Sequence, residues 1–293
     1  MTIDSYEFDG DSGRIFVRRW AGDAPGFIAL LSHGYGEHSG RYDHVAAELV
    51  GIGATVYAPD HLGHGQSEGK RALIDRMGVV VEDLHAVADQ ARKDFPELPM
   101  VLIGHSMGGL IATRFAQTYP GELVALVLSG PVVGGNPGLE MLLELDPIPD
   151  VPIDPAILSR DPDVGAAYAA DPLVYHGPFR RETLQSLVDA VSAVASGGDF
   201  GDLPTLWIHG DADQLVPYDV TAAAMEQIKG SATEHKAYPG AAHEIFNETN
   251  RVEVLDDMTS FLMRTLQRYF ERSSFARARW AATPARLVQR GEQ

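Results

Sequence analysis

The sequence predicts an α/β protein with a mostly parallel central sheet, helices on both of its faces and an inserted cap. From residue 27 onward, short apolar runs alternate with segments of helical periodicity. These runs are apolar on both faces, which is typical of parallel strands buried between helices. The alternation stops near residue 130 and resumes near residue 202. We therefore expect a core of residues 1–130 and 202–272, a cap of 131–201 and a basic C-terminal tail of 273–293.

Each element has its own signal in the sequence. Residues 6–8 and 14–20 are typical of a β-hairpin, since the segment between them is rich in turn residues. Short apolar runs predict parallel strands at 27–31, 55–58, 100–104, 123–128, 204–209 and 234–238. Helical spacing of apolar residues predicts helices at 42–49, 79–95, 107–118, 222–228 and 252–270.

The predicted cap differs in composition from the rest of the chain. It is rich in Pro, Gly and Asp, and residues 146–155 contain four prolines. Short helices are predicted at 139–145, 164–169 and 182–195. A long irregular stretch inside a compact domain is usually functional, for example as a lid over a site.

Composition excludes several classes of function. The chain has 293 residues, of which 45% are hydrophobic, and no apolar run approaches the roughly 20 residues that a membrane span requires. The acidic N-terminus lacks an apolar signal region, so we expect a cytoplasmic protein. Without cysteine, disulfides and thiolate catalysis are excluded. The net charge of −18 argues against nucleic-acid binding and against strong adsorption to anionic membranes.

The most informative stretch is 101–109, where an apolar strand gives way to an amphipathic helix at Ser106. The backbone must bend sharply there, and Gly104 and Gly108 remove side chains that would collide with the neighbouring strand and helix. A Gly-x-Ser-x-Gly pattern in this context predicts a nucleophile elbow, with a structural turn as the alternative.

A serine nucleophile requires a histidine base and an acid that orients it, and in this arrangement they follow the serine in the order acid, histidine. Asp211 and Asp213 both follow the strand at 204–209. We favour Asp213 because Asp211 is suited to hold the turn. Of the two histidines beyond it, His235 lies within a predicted strand, whereas His243 follows a loop and is the expected base.

The oxyanion of an acyl-transfer intermediate requires preorganised donors. One is expected to be the backbone amide of Met107, at the start of a helix. The other is expected to be the amide of Tyr35, in the glycine-rich loop after the strand at 27–31.

The remaining histidines have structural explanations. His61 and His64 lack the helical spacing and the carboxylates of a metal site. His105 is expected to pack, and Asp60 to shape its loop. We therefore expect neither a metal nor another cofactor.

Three motifs carry a family resemblance. They are His33-Gly34-x-Gly36-Glu37-His38-Ser39-Gly40-Arg41-Tyr42, Asp60-His61-x-Gly63-His64-Gly65-Gln66-Ser67-Glu68-Gly69 and Gly104-His105-Ser106-Met107-Gly108-Gly109. Together they resemble the monoacylglycerol lipases, especially the bacterial ones, and the resemblance extends from about Phe27 to Phe270.

The resemblance implies an α/β-hydrolase fold and a serine hydrolase that cleaves monoacylglycerols, a small-molecule lipid ester, through an acyl-enzyme. It implies a triad of Ser106, Asp213 and His243, and oxyanion amides at Tyr35 and Met107. It also implies that Glu37, Arg41 and Tyr168 bind the glycerol hydroxyls, with a loop-stabilising ion pair as the alternative for Glu37 and Arg41.

The chain departs from the family in its cap, where residues 134–155 are shortened and broken by prolines. We expect at most weak peripheral membrane contact through this cap. The tail at 273–293, with four arginines, Phe275 and Trp280, lies outside the resemblance.

Other functions remain open from the sequence. A lysophospholipase or a general carboxylesterase would use the same triad with a different pocket. A non-catalytic binding protein of the same fold would lack a triad residue, and none is missing here.

Overall fold

The structure is a computed structural model that describes residues 1–272. Within these residues the chain forms one sheet of eight strands. The strands are β1 (Thr2–Gly10), β2 (Gly13–Ala21), β3 (Phe27–Ser32), β4 (Ala54–Pro59), β5 (Met100–His105), β6 (Ala125–Ser129), β7 (Thr205–Gly210) and β8 (Thr233–Tyr238).

The strands lie in the order β1-β2-β4-β3-β5-β6-β7-β8. β2 pairs antiparallel with β1 and β4, and every pairing from β4 to β8 is parallel. The carboxyl ends of β3 to β8 therefore meet at one edge of the sheet, where loops from distant parts of the chain converge. This arrangement confirms the predicted fold class.

The helices cover both faces of the sheet. Successive residues of β3 alternate between them, so that Leu30 packs on one face and Leu31 on the other. This alternation explains why the strand is apolar throughout. The helices are α1 (Asp43–Gly51), α2 (Met77–Asp94), α3 (Met107–Thr118), α4 (Pro137–Leu143), α5 (Pro162–Ala170), α6 (Arg181–Ser196), α7 (Tyr218–Ile228) and α8 (Arg251–Arg272).

The segment that was predicted as a cap lies between β6 and β7 and contains α4, α5 and α6. Its middle part sits over the ends of the sheet, because the amide of Tyr175 donates to the carbonyl of Gly36 at 2.7 Å. α6 instead packs on the core beside α2 and α3, burying Leu184 and Leu187. The segment is thus tied both to the core and to the loops at the carboxyl edge.

Two elements begin about one helical turn, or four residues, earlier than the sequence predicted. β1 starts at Thr2, not at residue 6, because it pairs along its whole length with β2 although most of its side chains are exposed. α7 starts at Tyr218, not at residue 222, directly after Pro217. The extension of β1 depends on backbone pairing, and that of α7 on a helix that starts after a proline. Neither feature is visible in the spacing of apolar residues.

No described helix is both long and apolar enough to cross a bilayer. The predicted basic tail at 273–293 lies outside the described residues.

Removing a buried side chain from the core should lower the stability of the fold. Leu30 is fully buried in the central strand β3, so Leu30→Ala should lower the free energy of unfolding by about 2–5 kcal/mol through lost burial and a cavity. Urea denaturation followed by circular dichroism measures the loss. Val252→Ala, at a position that is 69% exposed on α8, is the matched control and should change stability by less than about 0.5 kcal/mol. Equal losses in the two variants would contradict this packing.

Candidate active site

Ser106 occupies the sharp turn between β5 and α3, with φ of 56° and ψ of −120°. A positive φ is uncommon for a residue with a side chain and requires support from the surroundings. The amide of Ser106 donates to the carbonyl of Ser129 at 2.9 Å, and the carbonyl of Ser106 accepts from Gly109 at 2.9 Å. These bonds hold Ser106 at the carboxyl edge of the sheet.

The two flanking glycines are required by close backbone contacts. A Cβ on Gly108 would lie 2.0 Å from the carbonyl oxygen of Ser32, and one on Gly104 would lie 2.3 Å from the carbonyl oxygen of Gly108. Neither backbone atom can move aside cheaply. The start of α3 therefore packs against β3 and β5 at a distance that only glycine allows.

His243 and Asp213 form the next part of the site. Nδ1 of His243 donates to Oδ2 of Asp213 at 2.7 Å, and both side chains are buried. The other carboxylate oxygen of Asp213 accepts from the amides of Leu215 and Val216 at 2.9 and 2.8 Å. The carboxylate is therefore fixed, and it leaves Nε2 of His243 as the ring nitrogen that can accept a proton.

Ser106 and His243 line the same cavity, whose volume is about 30 Å³. The structure records no hydrogen bond between these two side chains. Bonds between a nucleophile and its base are often long in apo structures and tighten in complexes with substrate. The structure thus brings the predicted nucleophile, base and acid together, and Asp211 instead accepts from the amide of Gly240 at 2.6 Å.

The protonation states of His243 and Asp213 depend on their surroundings. Burial lowers the pKa of His243, but the charge and hydrogen bond of Asp213 outweigh burial and raise that pKa above its usual value. Burial raises the pKa of Asp213, and the two histidines beside it reverse the effect and lower that pKa. Asp213 is therefore ionised wherever His243 can act as a base.

Sequence reasoning missed His209, a second histidine that contacts Asp213. The indole N–H of Trp207 can only donate, and it lies 3.2 Å from Nδ1 of His209. The ring proton of His209 must then sit on Nε2, which lies 2.9 Å from the carbonyl oxygen of Val216 and 3.2 Å from Oδ2 of Asp213. His209 thus adds a donor to the carboxylate. The sequence feature that could have indicated His209 is its position just before Gly210, at the end of β7.

The two predicted oxyanion donors come from different elements, since Tyr35 lies in the loop after β3 and Met107 begins α3. The amides of Tyr35 and Met107 have no acceptor among residues 1–272, and both residues lie next to Ser106. The ring of Tyr35 stacks on Phe179 at 5.1 Å, which fixes the loop against the segment between β6 and β7. The ring of Tyr35 also has an edge contact with His64 at 5.7 Å, so this residue packs against both the core loops and the segment between β6 and β7.

The predicted headgroup residues form a buried polar cluster beside Ser106. Nη1 of Arg41 lies 2.7 Å from Oε2 of Glu37 and 2.8 Å from Oε1 of Glu244. The guanidinium also lies 5.0 Å from the centre of the Tyr168 ring, in cation–π geometry. The ion pair between Glu37 and Arg41 is therefore present. Glu244 was not predicted, although it directly follows His243 in the sequence.

Burial raises the pKa of Glu37, and the charge of Arg41 outweighs burial, so that this pKa is lowered and the carboxylate is ionised. Oε1 of Glu37 accepts from the hydroxyl of Tyr42 and from the amide of Gly34, both at 2.6 Å. The carboxylate of Glu37 consequently anchors the loop that carries Tyr35.

The other histidines near the site bond to backbone groups, and Nε2 of His64 is buried without a hydrogen-bond partner among residues 1–272. His105, with a pKa that burial lowers to about 3, approaches the carbonyl oxygen of Ser129 at 3.1 Å through Nδ1. His33 accepts from the amide of His61 at 2.9 Å, and His64 contacts the carbonyl of Leu62 at 2.9 Å. Among residues 1–272 no group of His, Asp and Glu has the arrangement of a metal site.

Comparison with known proteins agrees with this geometry. Residues 24–250 match the family described as serine aminopeptidase, S33. A monoacylglycerol lipase of Mycolicibacterium smegmatis is 38% identical over 90% of this chain and 99% of its own. The human monoglyceride lipase is 35% identical over 83% of this chain and 84% of its own.

A similar solved structure is that of the Paleococcus ferrophilus monoacylglycerol lipase, with a TM-score of 0.75 and 27% identity over 86% of this chain and 99% of that chain. Sequence and structure therefore give the same assignment, and the chain belongs to the serine aminopeptidase S33 family of α/β hydrolases, together with the monoacylglycerol lipases that it resembles.

Proposed function

We propose that this protein is a serine esterase that hydrolyses monoacylglycerols to glycerol and a free fatty acid. The observation that carries the proposal is the shared cavity, which is lined by Ser106, by His243 and by the buried polar side chains of Glu37, Arg41 and Tyr168. A nucleophile beside a polar cluster suits an ester whose alcohol is a small polyol. The names of the most similar relatives support the same substrate.

Catalysis begins with proton transfer from Ser106 to Nε2 of His243 as Oγ attacks the ester carbonyl. The oxyanion that forms accepts hydrogen bonds from the amides of Tyr35 and Met107, at the positive end of α3. His243 then donates its proton to the departing glycerol oxygen. Water repeats the sequence on the acyl-enzyme and releases the fatty acid.

Asp213 orients this proton transfer. Its bond to Nδ1 of His243 fixes the tautomer that leaves Nε2 free, and its charge stabilises the imidazolium that forms during each step. Nε2 of His209 lies 3.2 Å from the same carboxylate oxygen and helps to hold it. The hydrogen bond between Asp213 and His243 is thus in place before substrate arrives.

Substrate entry requires the segment between β6 and β7 to move. A cavity of about 30 Å³ has room for one water molecule, and Ile153, Leu158 and Tyr168 from this segment line it. We propose that residues 131–201 act as the cap and that displacement of its part before α6, which stays packed on the core, admits the acyl chain. Met141, Leu145 and Val151 are exposed in this cap and suit weak, reversible contact with a lipid surface.

The nucleophile is tested by Ser106→Ala. This variant should lose at least about 10⁴-fold in kcat on monoacylglycerol, because no other group replaces the attacking oxygen. It should also resist labelling by a fluorophosphonate probe, while circular dichroism and urea denaturation show a folded protein. Ser192→Ala, at an exposed serine of α6, is the matched control and should keep its activity. Undiminished hydrolysis or labelling in Ser106→Ala would contradict the proposal.

The pH dependence tests the base. His243 must be neutral to accept a proton, and Asp213 raises its pKa, so activity should fall as pH decreases through a midpoint above about 6.5. The measurement is kcat/KM for 4-nitrophenyl butyrate between about pH 5 and 9, with enzyme returned from each pH to about pH 8 as the control for unfolding. A flat profile, or a midpoint below that of an ordinary imidazole, would contradict this role of His243.

A further inference from the structure

Glu244 lies at the end of the cavity where the proposed function places the glycerol headgroup. It follows His243 in the chain, lines the cavity and is only 5% exposed. Its amide donates to the carbonyl of Leu158 at 2.7 Å, which fixes its backbone against the cap. The carboxylate is therefore buried at the wall of the cavity, where the proposed function places the alcohol group of the substrate.

Glu244 occupies the hydrogen-bonding edge of Arg41. Its two oxygens accept from Nη1 and Nη2 of the guanidinium, each at 2.8 Å, in the bidentate geometry that phosphate would otherwise use. Nη1 also donates to Glu37 at 2.7 Å, and the ring of Tyr168 lies 5.0 Å from the guanidinium carbon. The guanidinium of Arg41, the positive charge nearest the headgroup, is consequently already paired with carboxylates of the protein.

The cluster carries a net negative charge. One guanidinium is paired with the carboxylates of Glu37 and Glu244, and these three groups sum to −1. The histidine that packs nearby, His105, is neutral because burial lowers its pKa to about 3. Asp213 adds a further negative charge deeper in the site, and the whole chain carries −18.

We propose that Glu244 is a specificity-determining residue that restricts this esterase to acylglycerols with an uncharged headgroup. Glycerol hydroxyls can donate to carboxylate oxygens, whereas a phosphate group meets like charge and finds the Arg41 edge occupied. The inference rests on the proposed function and deepens it. It separates monoacylglycerols from lysophospholipids, which carry a phosphate at the same place.

The test compares two substrates that differ by one phosphate, 1-decanoylglycerol and 1-decanoylglycerol 3-phosphate, with 4-nitrophenyl decanoate as a substrate without a headgroup. The wild type should strongly prefer the neutral glycerol ester. Glu244→Gln removes the charge and keeps the shape, so it should raise the phosphate-to-neutral ratio of kcat/KM by about tenfold or more. Glu248→Gln is the matched control, because this buried glutamate pairs with Arg160 outside the cavity, and its ratio should match the wild type.

A second measurement uses the wild type alone and does not depend on how a variant folds. Glycerol should slow fluorophosphonate labelling of Ser106, and glycerol 3-phosphate at the same concentration should not. The proposal is overturned if Glu244→Gln leaves the ratio within about twofold of the wild type, or if glycerol 3-phosphate protects as well as glycerol. Hydrolysis of the nitrophenyl ester but of neither glycerol ester would instead refute the proposed function. The proposed role of Glu244 in selectivity would then be refuted as well.

Discussion

The structure of the site depends on the close approach of α3 to the carboxyl ends of β3 and β5. Gly108 touches the carbonyl of Ser32, and this contact leaves no room for any side chain. At the turn into this helix, Ser106 has a positive φ of 56°. The strain is compensated by bonds to Ser129 and Gly109, which also fix the direction of the side chain.

The same edge of the sheet explains why residues far apart in the chain meet. β3, β5, β7 and β8 all run parallel, so the loops that carry Tyr35, Ser106, Asp213 and His243 emerge side by side. The buried charges then become mutually dependent, since each lowers the cost of burying its partner. Glu37 illustrates this dependence, because one carboxylate anchors the loop through Gly34 and also pairs with Arg41.

Much of this arrangement could be predicted from the sequence. The strands can be predicted because they are apolar on both faces. The turn at Ser106 can be predicted because only glycines fit around it. Chain order then narrowed the acid to Asp211 or Asp213 and the base to His235 or His243, and the predicted turn and strand favoured Asp213 and His243. Glu244 was not predicted, because its contact with Arg41 joins residues 203 positions apart. His209 was not predicted although it lies only four residues before Asp213, because their contact depends on how the loop after β7 turns back. Likewise β1 extends through exposed polar residues that only its pairing with β2 makes a strand.

The most direct test is a crystal structure of the protein after reaction with a medium-chain alkyl phosphonate ester, a mimic of the tetrahedral intermediate. We expect a covalent bond to Oγ of Ser106, a phosphonyl oxygen about 2.7–3.1 Å from the amides of both Tyr35 and Met107, and Nε2 of His243 turned toward the leaving-group position. The alkyl chain should lie beneath a displaced cap. A phosphonate attached elsewhere, or an oxygen pointing away from both amides, would refute the proposed roles of Ser106, Tyr35 and Met107.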